Sequence, residues 1–194
     1  MRETLDDVAQ RTGHARRAEL AVVVYADRDA MRRATCTPEW TGAVYDGVLH
    51  LYAQTLAHPE IAARVVRHEA THAQLARVRG PIPHWLNEGI AQWMEGPPSE
   101  RTRASWRRMT ERRFWIPFAS LEGGLLVIDD PDDAELAYHQ SLAMVRYLVH
   151  YRGERSLGDA IERIERGEHE DLLDALLGEP ARGEDLLTFL ASGR

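Results

Sequence analysis

Residues 59–96 read PEIAARVVRHEATHAQLARVRGPIPHWLNEGIAQWMEG, and this stretch decides the fold. Pro59 opens a helical pattern over residues 60–79 that Gly80-Pro81 closes. Proline suits a first helical turn, where its missing N–H would be unbonded anyway, and a Gly-Pro pair does not continue a helix. Pro83 opens a second helix, over residues 84–95, which Gly96-Pro97-Pro98 ends. So short a connection, Gly80-Pro81-Ile82-Pro83, predicts that the second helix packs back against the first.

The first helix carries His68-Glu69-Ala70-Thr71-His72. Four residues advance an α-helix by about 400°, so the two imidazoles project from one face, one turn apart. Both can reach one cation, and neutral imidazoles suit Zn²⁺. Glu69 lies about 100° further round and can lean over the coordination position that the protein leaves open, where a carboxylate serves as base for a water. Val65, Val66, Ala70, Ala73, Leu75 and Ala76 flank the motif. They predict a largely buried helix, in which an unpartnered imidazole pair is costly. The competing explanation is a chance pairing among the chain's 9 histidines.

A catalytic zinc site needs a third protein ligand and leaves its fourth position to water. Cys36 is far upstream in a loop, and His84 stands at the very start of its helix. Glu88 shares the second helix with Trp85, Leu86, Ala91 and Trp93. A carboxylate among such neighbours needs a partner, and the fold-back of the two helices aims it at the histidines. Glu88 is the favoured ligand, with Cys36 and His84 as alternatives.

Outward from this pair, residues 4–17 read as a helix and Leu20-Ala-Val-Val-Val-Tyr25 as a buried strand. Asp27 caps a short helix to about residue 34. Val44-Tyr45-Asp46-Gly47-Val48-Leu49 predicts a hairpin with a two-residue type I′ turn at Asp46-Gly47. Its second strand covers residues 48–53. Residues 99–114 form an Arg-rich helix, 134–151 a strong helix, and shorter helices follow to residue 190. Residues 116–133 are irregular, with Leu125 to Ile128 readable as a short strand or a buried loop. The expected class is α+β: a small N-terminal β layer, then a mainly helical region, with residues 1–194 as one domain.

Composition narrows the function. Hydrophobic residues are 44% and charged residues 28%, which excludes a disordered or collagen-like chain. No apolar run reaches the ~18–20 residues of a membrane span. The lone Cys36 excludes a disulfide framework and a cysteine-rich zinc module. The opening MRETLDDVAQ holds three acids and no apolar core, so the expectation is a cytoplasmic chain without a secretory signal. A net charge of -7 argues against nucleic acid as a partner. The exception is the run of Arg101, Arg103, Arg107, Arg108, Arg112 and Arg113, read as a solvated helix face. Its alternative is contact with an acidic partner. His14, His50, His58, His150 and His169 lack ligand spacing and read as surface or local hydrogen-bonding residues, and most of the Trp as core, with Trp85 and Trp93 also candidates to line the site.

His68-Glu-x-x-His72 followed by Trp85-Leu-Asn-Glu-Gly-Ile-Ala91 resembles the gluzincin metallopeptidases, and more narrowly the peptidase MA-like domains, whose second motif reads much like P-x-W-L-x-E-G-x-A. The likeness extends over about residues 20–178, taking in the Asp46-Gly47 hairpin and the helix of Tyr138-x-Gln-Ser141. It implies a zincin-like fold with one Zn²⁺ held by His68, His72 and Glu88. Glu69 is then the base in hydrolysis of a peptide or protein substrate. By the same resemblance the strand over residues 48–53 runs along the cleft and pairs with extended substrate. Tyr138, with His139 as alternative, is brought to the zinc as an oxyanion donor; otherwise Tyr138 is a core aromatic. Two features depart from the family pattern. Gln92 stands where thermolysin-like enzymes place an Asp that orients a ligand histidine, and the chain is short. They motivate a second reading, a non-hydrolytic zinc-stabilised binding domain of the same fold.

Overall fold

The computed structural model describes residues 2–13, 19–37, 41–121, 130–168, 172–177 and 183–192. Helix α1 (Arg2–Arg11) precedes β1 (Val22–Tyr25), α2 (Arg28–Thr35), β2 (Val44–Tyr45) and β3 (Leu49–Tyr52). A short α3 (Ala53–Leu56) leads into α4 (Pro59–Leu75) and α5 (His84–Met94). Then come α6 (Glu100–Arg112), α7 (Pro131–Arg152), α8 (Arg155–Glu165), α9 (Leu172–Leu177) and α10 (Gly183–Ala191). The fold is α+β, a three-stranded sheet near the N-terminus followed by helices. No described helix is long and apolar enough to cross a membrane.

The sheet has the order β1-β3-β2, with β1 parallel and β2 antiparallel to β3. Alternation along β3 sends Leu49 and Leu51 into the interior, and both are buried. β1 departs from expectation. It is an edge strand, and Val22, Val23 and Val24 are 39%, 40% and 50% exposed. A β-branched run specifies extended backbone, but burial depends on what the sheet places on either side. The hairpin differs too. Tyr45 pairs with Leu49, which leaves a three-residue loop, and of Asp46 and Gly47 only Gly47 takes positive φ, at 108°. The Asp46 carboxylate closes the loop instead, accepting from Val48 N–H at 3.3 Å and from His50 Nε2 at 3.1 Å. His50 Nδ1 then accepts the Tyr25 hydroxyl at 2.9 Å, so this histidine is the local hydrogen-bonding residue expected of it.

The main core lies in the helices. Trp85, Leu86 and Ile90 of α5 are fully buried, in one cluster with Met144, Val145 and Leu148 of α7 and Leu157 and Ile161 of α8. Gly89 permits this closeness. A Cβ there would stand 2.5 Å from the Ser141 carbonyl oxygen and 2.6 Å from Val145 Cγ2. On the far side, Ala70 and Ala73 of α4 cluster with Leu5 of α1. α4 is thus held from behind by α1 while its histidine face looks toward α5. The Arg-rich α6 buries Trp106 and Met109, and Arg101, Arg103, Arg107 and Arg113 pair with Glu135, Glu100, Glu100 and Glu184. Charges matched in this way are what a solvated face carries. Leu125 to Ile128, His14 and His169 lie outside the described residues.

Candidate metal centre

α4 delivers His68 and His72 side by side, with ring centroids 4.7 Å apart and planes at 79°. Each ring is fixed by its outer nitrogen. His68 Nδ1 donates to Glu95 Oε1 at 2.8 Å, and His72 Nδ1 to Asn87 Oδ1 at 3.0 Å. With a proton on each Nδ1, both neutral rings turn an Nε2 lone pair to the same point, and the two Nε2 atoms are 3.0 Å apart. Glu88 Oε2 lies 3.6 Å from one and 3.7 Å from the other, and this buried oxygen has no hydrogen-bond partner.

Three electron-rich atoms facing one another repel unless a proton or a metal cation lies among them. Zinc bonds of ~2.0–2.2 Å at tetrahedral angles separate donor atoms by about 3.4 Å. The separations of 3.0, 3.6 and 3.7 Å bracket that value, so the donor set fits the metal that the fold implies. Among the described residues, His68, His72 and Glu88 form the one group of such side chains close enough to hold an ion, and neither Cys36 nor His84 joins it.

The titrating groups show a demand for positive charge at this point, one that a proton on His68 or a metal cation can meet. Burial pushes the His68 imidazolium down, but the carboxylates of Glu88, Glu95 and Glu69 outweigh it and hold His68 well above the ordinary value. Burial and the neighbouring His68 push His72 down. Burial raises Glu88, the two histidines more than offset it, and the carboxyl ends below its usual range. Glu69, 6% exposed, is held at about 7, chiefly by burial.

A cavity of about 960 Å³ opens over these groups. Thr41, Val44 and Tyr45 line one side of it, and His68, Glu69 and Tyr138 the other. The wall on the sheet side is therefore β2. β3 lies between β1 and β2, paired with β1 along its length and with β2 at Leu49 and His50, so at those positions it offers no free edge to a substrate strand as the sequence led us to expect. Tyr138 stands two turns into α7 and faces the cavity. His139 does not line it; its carbonyl accepts from Trp106 Nε1 at 2.8 Å. Trp85 and Trp93 are likewise absent from the lining.

Gln92 does not orient a histidine. Its Nε2 donates to the carbonyl oxygens of Tyr138, at 2.8 Å, and Glu88, at 3.3 Å. Four residues past Glu88 the helix has turned by about 40° more than a full circle, toward α7. Seven residues past Glu88 it has returned to within about 20°, and there Glu95 meets His68. Sequence reading took Glu95 only as the end of a helix and passed over Asn87; the seven-residue spacing from Glu88 is the signal that would have found Glu95.

The model of the peptidase MA superfamily matches residues 1–184. No curated protein matches the chain. With nearly its whole length matched, the chain belongs to the peptidase MA superfamily.

Proposed function

Proceeding from that membership, we propose that the chain is a zinc-dependent metallopeptidase of gluzincin type. His68, His72 and Glu88 hold one Zn²⁺, and Glu69 and Tyr138 act on a peptide or protein substrate. Bound zinc supplies Lewis acidity and makes a water acidic enough to react as a nucleophile near neutral pH.

The remaining work falls to the chain's own groups. The Glu69 carboxylate takes the proton of the attacking water as its oxygen bonds to the scissile carbonyl carbon. It returns that proton to the amine nitrogen as the C–N bond breaks. Burial raises the proton affinity of Glu69 above the ordinary carboxyl range, which suits both halves of the exchange. The Tyr138 hydroxyl donates to the carbonyl oxygen as that oxygen gains charge. Tyr138 is suited to donate because burial, with the carboxylates of Glu88 and Glu69, pushes its phenol above the ordinary value and keeps it protonated.

The observation that carries this reading is the convergence of two Nε2 atoms and an orphaned carboxylate oxygen. No fourth ligand joins them among the described residues, and a purely structural zinc is normally closed by four protein ligands. Metal analysis of the purified chain and of Glu88→Ala, with digestion of a peptide library with and without chelator, is the test. One zinc per chain, its loss in Glu88→Ala and chelator-sensitive cleavage are expected. Full zinc stoichiometry in Glu88→Ala removes the third ligand, and cleavage indifferent to chelator removes the mechanism.

A further inference from the structure

We propose that Glu95, braced by Arg64, is the positioning residue of this centre. Its carboxylate clamps His68 through Nδ1 so that Nε2 faces the metal, and it lends this one histidine an anionic partner that His72 lacks. The role presupposes His68 as a metal ligand.

Both carboxylate oxygens of Glu95 are used. Oε1 accepts from His68 Nδ1 at 2.8 Å and Oε2 accepts from Arg64 Nη2 at 3.0 Å. Arg64 Nη1 also donates to the Pro97 carbonyl at 3.1 Å, which ties the chain just beyond α5 to the face of α4 that carries the histidines. Arg64 precedes His68 by one helical turn, so bracing residue and ligand share a face by periodicity. The carboxylate therefore cannot rotate without breaking its bond to Arg64 or its bond to His68, both on α4. Its side chain is only 22% exposed, which strengthens a charged hydrogen bond over the same contact in water.

The two histidines are thus held unequally. Asn87 offers His72 a neutral carbonyl, while Glu95 offers His68 a full negative charge. A charged acceptor on the outer N–H makes the inner nitrogen the stronger donor to a metal. Gln92, engaged by main-chain carbonyls, is not available for this work.

The test is zinc affinity of the full chain, by competition with a chromophoric chelator, together with NMR of the histidine ring protons in zinc-loaded protein. Wild type, Glu95→Gln, Glu95→Ala and Arg64→Met are compared, with Glu88→Ala as control. Loss of such an outer partner typically weakens metal binding by about 10–100-fold, and that range is expected for Glu95→Ala. Glu95→Gln keeps size and an acceptor and falls between it and wild type, and Arg64→Met weakens binding less than Glu95→Ala. The His68 Nδ1–H resonance, deshielded by its carboxylate, moves upfield in Glu95→Gln while that of His72 stays. Were Glu95 only a link between helices, its variants would melt earlier without moving that resonance. Wild-type affinity and an unmoved resonance in Glu95→Gln overturn the proposal, while zinc loss in Glu88→Ala leaves the metal centre standing. A wild-type chain that takes up no zinc overturns both. Should Glu95→Ala fail to fold, the isosteric Glu95→Gln decides.

Discussion

Gly89→Ala tests how packing is coupled to the metal centre, because the glycine sits beside Glu88 but faces α7. The added Cβ would lie 2.5 Å from the Ser141 carbonyl oxygen, and ordinary contact begins at 3.4 Å, so α5 and α7 must part by about 0.9 Å. The nearer obstacle is main chain and cannot swing aside; the second, Val145 Cγ2 at 2.6 Å, belongs to a stiff β-branched side chain. Overpacking a filled core costs about 1–3 kcal/mol, and a backbone obstacle places this site in the upper half of that range. Alanine's helix propensity returns about 1 kcal/mol against glycine. The net is a loss of about 1–2 kcal/mol, which for a chain of this size lowers Tm by about 2–8 °C. Thermal and urea unfolding of the chelator-treated protein measure it. The same shift of about 0.9 Å displaces Glu88 relative to the histidines, so zinc affinity falls as well. A Tm equal to or above that of wild type refutes the packing estimate. A lowered Tm with unchanged zinc affinity refutes the transmission of the shift to Glu88.

Glu69→Gln keeps the metal-ligand set and removes the base, so zinc stoichiometry holds while cleavage falls by about 10²–10⁴-fold; metal analysis and a peptide assay on one sample check both. Tyr138→Phe removes an oxyanion donor and lowers kcat by about 10²–10³-fold with little change in metal content. Because burial raises the Tyr138 phenol, the neutral donor persists to higher pH than a free phenol, and the pH–rate profile shows no tyrosine-dependent fall near 10. An alkaline limb near 10 that vanishes in Tyr138→Phe contradicts that placement.

Local rules were legible in the sequence where one element's own periodicity settles the outcome. The four-residue spacing of His68 and His72 placed both rings on one face, and the short connection after α4 returned Glu88 to them. Asp27 caps α2 as its type predicts, accepting from Ala30 N–H at 2.7 Å. Relations between elements were not legible. Nothing in Val22-Val23-Val24 says which strand will be central, so the run read as buried although β3 took the centre. The Asp-Gly pair called for a type I′ turn, but the Asp46 side chain could bond Val48 and His50 and close a longer loop. Gln92 failed as an analogue for a subtler reason. The position that carries a carboxylate in thermolysin-like enzymes points here at α7, and the carboxylate near the histidine comes one turn later, at Glu95.

That displacement follows from the way α5 is shared out. One sector of the helix, with Leu86 and Ile90, fills the core and tolerates no polar group. A second, with Gly89 and Gln92, lies against α7, where a missing Cβ and a side-chain amide to the Tyr138 carbonyl set how near and in what register the helices meet. The third, with Glu88 and Glu95, faces α4 and carries the charge. With 3.6 residues per turn, positions 88 and 95 belong to one sector and position 92 to the next. The sector of a substitution therefore foretells its signature. In the first it costs stability alone, and in the third metal affinity. In the second it costs both, because that contact fixes where the third sector points.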